Sequence, residues 1–140
     1  MFELDERLAK DTIKLASWPL CEVLLMNDRH YPWFILVPRV PQISELYHLD
    51  AEQQKQFQEE SNRLSMHIMK QFAGYKLNVA ALGNVVRQLH IHHIVRFESD
   101  VAWPGPVWGK VPSEPYTEEE LASIQSGAKA WLSLPLFSAR

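Results

Sequence analysis

The run VVRQLHIHHIVRF, Val85 to Phe97, constrains this chain more than any other stretch. Its β-branched and apolar content is that of a strand. Side chains of a strand alternate between faces with a period of two. Gln88, His90 and His92 therefore share one face, and Leu89, Ile91 and His93 the other. The Leu/Ile face needs a packing partner, so the chain must supply helices to cover it. His93 falls on that packed side, where a hydrogen-bonded core imidazole is the expectation. His90 and His92 are presented on the opposite face. Paired neutral imidazoles there can ligate a metal, transfer protons or attack phosphorus.

The rest of the chain supplies the covering elements. Leu8, Thr12, Leu15 and Ala16 recur at helical spacing, which predicts a helix from Asp5 to about Ala16, ended by SWPL. Cys21 to Asn27 is a short, mostly apolar run and is predicted to be a buried strand. DRHYP reads as a turn into a second strand, WFILVPR. Asp50 followed by Gln53 has the form of a capping box, opening a long helix with Phe57, Leu64, Ile68 and Phe72 on one face. Met66 and Met69 of this helix are assigned to packing, and AGY stops it at Gly74. KLNVAAL and the histidine run then follow, joined by Gly83-Asn84 as a tight turn. A loop dense in Pro, Gly and Trp leads to a last helix starting at Thr117, where Glu120 completes a second capping box. Its apolar stripe is Leu121, Ile124, Ala128, Trp131 and Leu132.

This order, helix, two strands, helix, two strands, helix, predicts an α+β domain with an antiparallel sheet of about four or five strands and flanking helices. The sheet edges are expected to be relieved by a second copy or by a short strand near Tyr47. With 140 residues, 46% of them apolar and 22% charged, the chain (1–140) suits one domain with a single core. A net charge of -3 provides no footprint for nucleic acid or a membrane surface. Cys21 is the only cysteine, which excludes internal disulfides and multi-cysteine metal motifs. The N-terminal segment lacks the apolar core of a signal peptide, and no run is long enough to span a bilayer. A soluble, cytoplasmic protein is the expectation.

QLHIHHIVR resembles the core of the histidine triad (HIT) family, His-φ-His-φ-His-φ-φ followed by Pro or a small residue and Arg. The register places Gln88, His90 and His92 at the three triad positions and Arg96 at the arginine. LLMNDRHYPWFILVPR and LNVAALGN also resemble the family's strand–turn–strand and the strand and turn before the triad. The resemblance implies a HIT-like fold, a homodimer, a small-molecule nucleotide substrate, and neither cofactor nor metal. His90 would be the nucleophile at the α-phosphorus of a phosphoramidate or dinucleoside polyphosphate, giving a nucleotidyl-histidine that water hydrolyses. His92 would bind or neutralise the transferring phosphoryl group. Asn27 stands where the family binds ribose hydroxyls, although a turn residue suits that place equally. Asn84, beside Gly83, stands where a glutamine usually contacts phosphate. Trp103 or Trp108 would either stack on a base or seal the end of the sheet.

Two positions depart from the family pattern. Gln88 replaces the first histidine, and an amide cannot carry a proton charge. Val85 stands where many members have a Ser or Thr that assists the leaving group. These departures leave open a second reading, a nucleotide-binding module with weak or no catalysis. A third is a cupin-like metal-binding barrel using His90, His92 and Glu98, behind Gly83. Only 5 glycines and two capped helices argue against a small barrel. His30, His48 and His67 receive no role, and Glu98 and Asp100 are expected to be solvated loop charges, although either could orient a histidine.

Overall fold

The computed structural model describes residues 1–134. Its elements run α1 (Glu6–Asp11), β1 (Thr12–Ser17), β2 (Cys21–Met26), β3 (Trp33–Pro38), a 3-10 turn (Leu46–His48), α2 (Ala51–Gln71), β4 (Lys76–Ala80), β5 (Ile91–Arg96) and α3 (Glu118–Leu132). The five strands form one sheet in the order β1-β2-β3-β5-β4, with every neighbouring pair antiparallel. This is the expected α+β architecture, reached with one strand more than the four long runs suggested. Among the described residues, no helix is long and apolar enough to cross a membrane.

The additional strand lies in the predicted first helix. Asp5 caps α1 by accepting from the Arg7 N–H, but the helix ends at Asp11, and residues 12–17 pair with β2. The register slips between Lys14 and Ala16, the signature of a β-bulge at Leu15. Both Leu15 and Ala16 pack on the core as a result. Two adjacent apolar residues on one face look helical in a sequence, and the bulge is what produces them. The edge is thus occupied by β1, not by a strand near Tyr47, which sits exposed in the 3-10 turn.

Both predicted capping boxes form, Asp50 with Gln53 on α2 and Thr117 with Glu120 on α3. Reciprocal bonds of this kind satisfy two backbone N–H groups of a first turn that have no helical partner. Phe57, Leu64 and Ile68 of α2 and Ile124, Ala128 and Trp131 of α3 pack on one face of the sheet. They meet Val23, Leu25, Phe34, Leu36, Ile91 and Val95 there. Met69 joins this core from its margin, whereas Met66 is 58% exposed, a correction to its assignment to packing. At the end of α2 the left-handed residue is Ala73 (φ 50°), not Gly74. Gly74 serves a close approach instead: a Cβ there would lie 2.5 Å from Val95 Cγ1.

Among the described residues, no helix of comparable length covers the opposite face. The N-terminal segment, α1 and the loops after β4 and β5 close over Leu24, Trp33, Ile35, Val37 and Ile94. The predicted tight turn at Gly83-Asn84 is absent. β4 ends at Ala80 and β5 begins only at Ile91, so residues 81–90 form an open loop. Backbone and side-chain bonds hold that loop down, including Leu89 N–H to the Ile43 carbonyl. A tight hairpin would have spent these groups on the ladder and left the site without a rim.

Candidate active site

His90 stands immediately before β5, and His92 is its second residue. Both rings lie on the loop-covered face, with centroids 4.9 Å apart and nearly perpendicular. They are 5% and 3% exposed, so the pair is desolvated. His93 points the other way, as strand parity predicts. Its Nδ1 donates to the Ile91 carbonyl (3.1 Å) and its Nε2 accepts from Ser61 Oγ of α2 (2.8 Å). This is a satisfied core imidazole.

A carbonyl only accepts, so the tautomers of the working pair can be read from their partners. His90 Nδ1 donates to the Gln88 carbonyl at 2.7 Å. Its Nε2 then carries the lone pair, and no hydrogen-bond partner for it occurs among the described residues. His92 is the mirror case. Its Nε2 donates to the Leu82 carbonyl (2.9 Å), and its Nδ1 accepts from the Trp33 indole N–H (3.0 Å). The ring expected to contact phosphate therefore has both nitrogens engaged within the chain.

Gln88 occupies the first triad position with both ends of its amide tied to the N-terminal segment. Its Oε1 accepts from the Asp5 N–H, and its Nε2 donates to the Glu3 carbonyl. It reaches His90 through its backbone carbonyl alone. Gly83 lies against the His90 ring, where a Cβ would stand 2.8 Å from the Val86 carbonyl oxygen and 3.2 Å from His90 Cε1. Gly83→Ala is expected to shift residues 81–86 and lower kcat roughly tenfold or more, since small displacements of reacting groups are costly. Steady-state kinetics with a melting curve as control would measure it.

Trp108 meets His92, its ring edge-on to that imidazole at 5.0 Å and to Trp33 at 5.8 Å. Trp103 is elsewhere, packed on Tyr75 and against the Arg96 guanidinium. Asn84 and Val85 are exposed on the loop. Asn27 accepts the Tyr116 N–H on its side-chain oxygen and lines a surface cleft with Lys10, Asp11, Met26, Ser113 and Pro115. Glu98 is exposed. Asp100 is a correction to the expectation of a solvated loop charge: its side chain is buried and paired with Arg96.

Trp33 and the Leu82 carbonyl belong to this site and escape the sequence reading. Trp33 was legible only as a strand aromatic. Its meeting with His92 depends on the β3–β5 register, which sets Ile35 opposite His92 and Trp33 opposite Ile94. The cupin-like reading fails on the fold, a single open sheet with its two long helices on one face. It also fails on the donors, because His92 has no free ring nitrogen and Glu98 is directed to solvent.

Burial lowers His92 and His93 from the ordinary value near 6.5 to about 4. For His92, the Leu82 carbonyl pulls the other way and the neighbouring His90 adds to the depression. Between pH 6.5 and 4 the unfolded chain binds protons that the folded chain does not. Stability therefore falls as pH drops through that window, by on the order of 3 kcal/mol per histidine when complete. Urea midpoints at several pH values would show the slope, and His93→Gln is expected to remove about half of it. Asp100 and Glu22, whose carboxyls are held below their usual range against burial by hydrogen bonds and cationic neighbours, lose their contribution only at lower pH.

The antiparallel sheet, the two long helices on one face and the paired rings at the head of a central strand define the histidine-triad class of α+β protein. A family model described as HIT domain matches residues 7–99, and the chain belongs to that family. Solved structures agree over nearly the whole chain. A histidine triad protein from Marinobacter aquaeolei VT8 is 58% identical, with 94% of this chain and 96% of that one covered and a TM-score of 0.92. A histidine triad (HIT) protein from Sinorhizobium meliloti 1021 is 43% identical, covering 92% and 96%, with a TM-score of 0.90. A histidine triad protein from Bradyrhizobium japonicum is 40% identical, covering 94% and 98%, with a TM-score of 0.92. No curated protein matches the chain.

Proposed function

We propose that this protein hydrolyses a nucleotide conjugate by double displacement, with His90 as nucleophile. One observation carries the reading: the His90 Nδ1–H is committed to the Gln88 carbonyl, which leaves the Nε2 lone pair available for attack. In the first step the Nε2–P bond forms at the α-phosphorus, and the bond from phosphorus to the leaving group breaks with its electron pair. In the second, water attacks phosphorus, the N–P bond breaks, and a nucleoside monophosphate leaves with a proton released to solvent. Splitting the displacement in this way replaces one difficult step with two easier ones. Asn27 and Asn84 are proposed contacts to ribose and phosphate, and Trp108 covers the base side of the pocket, in a homodimer of cytoplasmic type.

Val85 carries no proton for the leaving group, and the Gln88 amide is neutral and cannot act as an acid. Departing groups that are stable as anions are favoured, so a dinucleoside polyphosphate is the better substrate than a phosphoramidate, whose amine must be protonated to leave. Hydrolysis in ¹⁸O-labelled water tests the scheme. Label in the nucleoside monophosphate, with faster turnover of the dinucleoside polyphosphate, is expected; label only in the departing fragment contradicts attack at the α-phosphorus.

A nucleotide-binding module is the second reading, favoured by the engaged nitrogens of His92 and the committed amide of Gln88. Calorimetric binding of a nucleotide, with no turnover of either conjugate, would select it.

A further inference from the structure

We propose that Trp33 is a positioning residue of this site: its indole N–H holds His92 as the neutral Nε2–H tautomer, and that N–H clamps the Leu82 carbonyl so that residues 81–86 rest against His90. The inference rests on the reading of His90 as the nucleophile only for its effect on rate.

The chain of contacts is continuous. Trp33 Nε1 lies 3.0 Å from His92 Nδ1, and the two ring centroids are 5.7 Å apart. An indole nitrogen is a donor only, so Nδ1 must accept and the ring proton must sit on Nε2. That proton is given to Leu82, 2.9 Å away. Leu82 adjoins Gly83, which stands so close to the His90 ring that no side chain fits between them. A protonated His92 would present Nδ1–H to Trp33 Nε1–H, donor against donor. Trp33 thus excludes the cationic form as well as the other tautomer. His90 is the titratable neighbour whose charge acts on His92, and it disfavours the cation too. Ring packing is shared: Trp108 meets both Trp33 and His92 edge-on, but no hydrogen bond joins it to either. Trp33 is therefore the group that decides which nitrogen of His92 is protonated.

The arrangement makes His92 a fixed strut in place of a proton donor. The loop it holds carries Gly83, Asn84 and Val85, the residues nearest the proposed phosphate path. A strut of this kind keeps the loop in one position across the pH range in which an ordinary histidine would change charge.

Nitrogen-15 NMR of the histidine rings tests this without substrate. In the wild-type protein His92 is expected to show a protonated Nε2 and a bare Nδ1, unchanged between pH 8 and about 5. Observation of a protonated Nδ1 at neutral pH would overturn the proposal, and this measurement needs no variant to fold. Trp33→Phe keeps an aromatic ring and deletes the donor. His92 in that variant is expected to titrate at a higher pH than in the wild type, by about one unit or more, because Nδ1 is left as a buried unpaired acceptor. Trp108→Phe is expected to leave the titration of His92 where it is. If Trp33→Phe leaves the ring's protonation and titration unaltered, Trp33 is packing only and the proposal fails.

Kinetics supply the second readout. Trp33→Phe is expected to lower kcat roughly tenfold or more, with a smaller change in KM, and to add an acid-side inflection to the pH profile. The two readings fail separately. Loss of the nucleotidyl-histidine with the ring spectrum as described removes the nucleophile and leaves the strut. A covalent intermediate with a protonated Nδ1 on His92 does the reverse.

Discussion

His90→Ala is expected to reduce hydrolysis of a nucleotide conjugate by roughly 10³-fold or more, since removal of a nucleophile that acts as part of a unit removes the covalent route entirely. Folding is expected to survive. The substitution deletes one hydrogen bond, from Nδ1 to the Gln88 carbonyl, and a ring at the mouth of β5. An unpaired carbonyl and a small void cost about 1–3 kcal/mol. His92→Ala provides the contrast. It frees the Trp33 indole N–H and the Leu82 carbonyl together, so its loss of stability exceeds that of His90→Ala. Its loss of rate comes from a displaced loop and is smaller, because the attacking nitrogen is still present. Parallel kinetics and urea titrations of the two variants would measure the crossing. Rates ordered the other way would move the nucleophile to His92.

The second large effect lies at Asp100→Ala, with an expected loss of about 3–5 kcal/mol. The Asp100 carboxylate accepts from Arg96 Nε and Nη2, and from the N–H groups of Phe97, Ala102 and Trp103. Arg96 is 1% exposed, and its other bonds go to the Asn78 side chain and the Gly105 carbonyl. Tyr31 and Trp103 rings flank the guanidinium. Removal of the carboxylate leaves a buried cation without its counter-charge and the Phe97 and Ala102 N–H groups without acceptors, while Trp103 N–H keeps the Asp100 carbonyl. Asp100→Asn keeps an acceptor oxygen and is expected to cost less. The consequence for the site follows from position: Asp100 opens the loop that ends with Trp108 on His92. Denaturant unfolding followed by tryptophan fluorescence reads both effects, since Trp103 and Trp108 report the loop directly. A change within about 0.5 kcal/mol of wild type would contradict a structural role for the pair.

Much of this architecture is legible in the residues because local rules act alone there. The caps at Asp50 and Thr117 depend on contacts three residues apart, and β2 and β3 are apolar runs too short to be helices. Parity separates His93 from His90 and His92 for the same reason. Where the reading fails, a long-range constraint has overridden a local one. The bulge at Leu15 disguises an edge strand as a helical face, and only pairing with β2 reveals it. Gly83-Asn84 has the chemistry of a tight turn, yet the loop is held open by Ile43, Leu82 and His92, which are far apart in sequence. Gln88 is legible as a triad position, but its engagement with Glu3 and Asp5 spans more than eighty residues. Trp33 and Asp100 carry no motif. Their importance comes from which buried polar groups they satisfy.

The central claim is that the α-phosphorus is transferred to Nε2 of His90. Rapid denaturation during turnover of a dinucleoside polyphosphate, followed by peptide mass spectrometry at neutral pH, tests it most directly. A nucleoside monophosphate adduct on His90, absent from His90→Ala, is the predicted result. An adduct on another residue, or full turnover by His90→Ala without any adduct, would contradict the account.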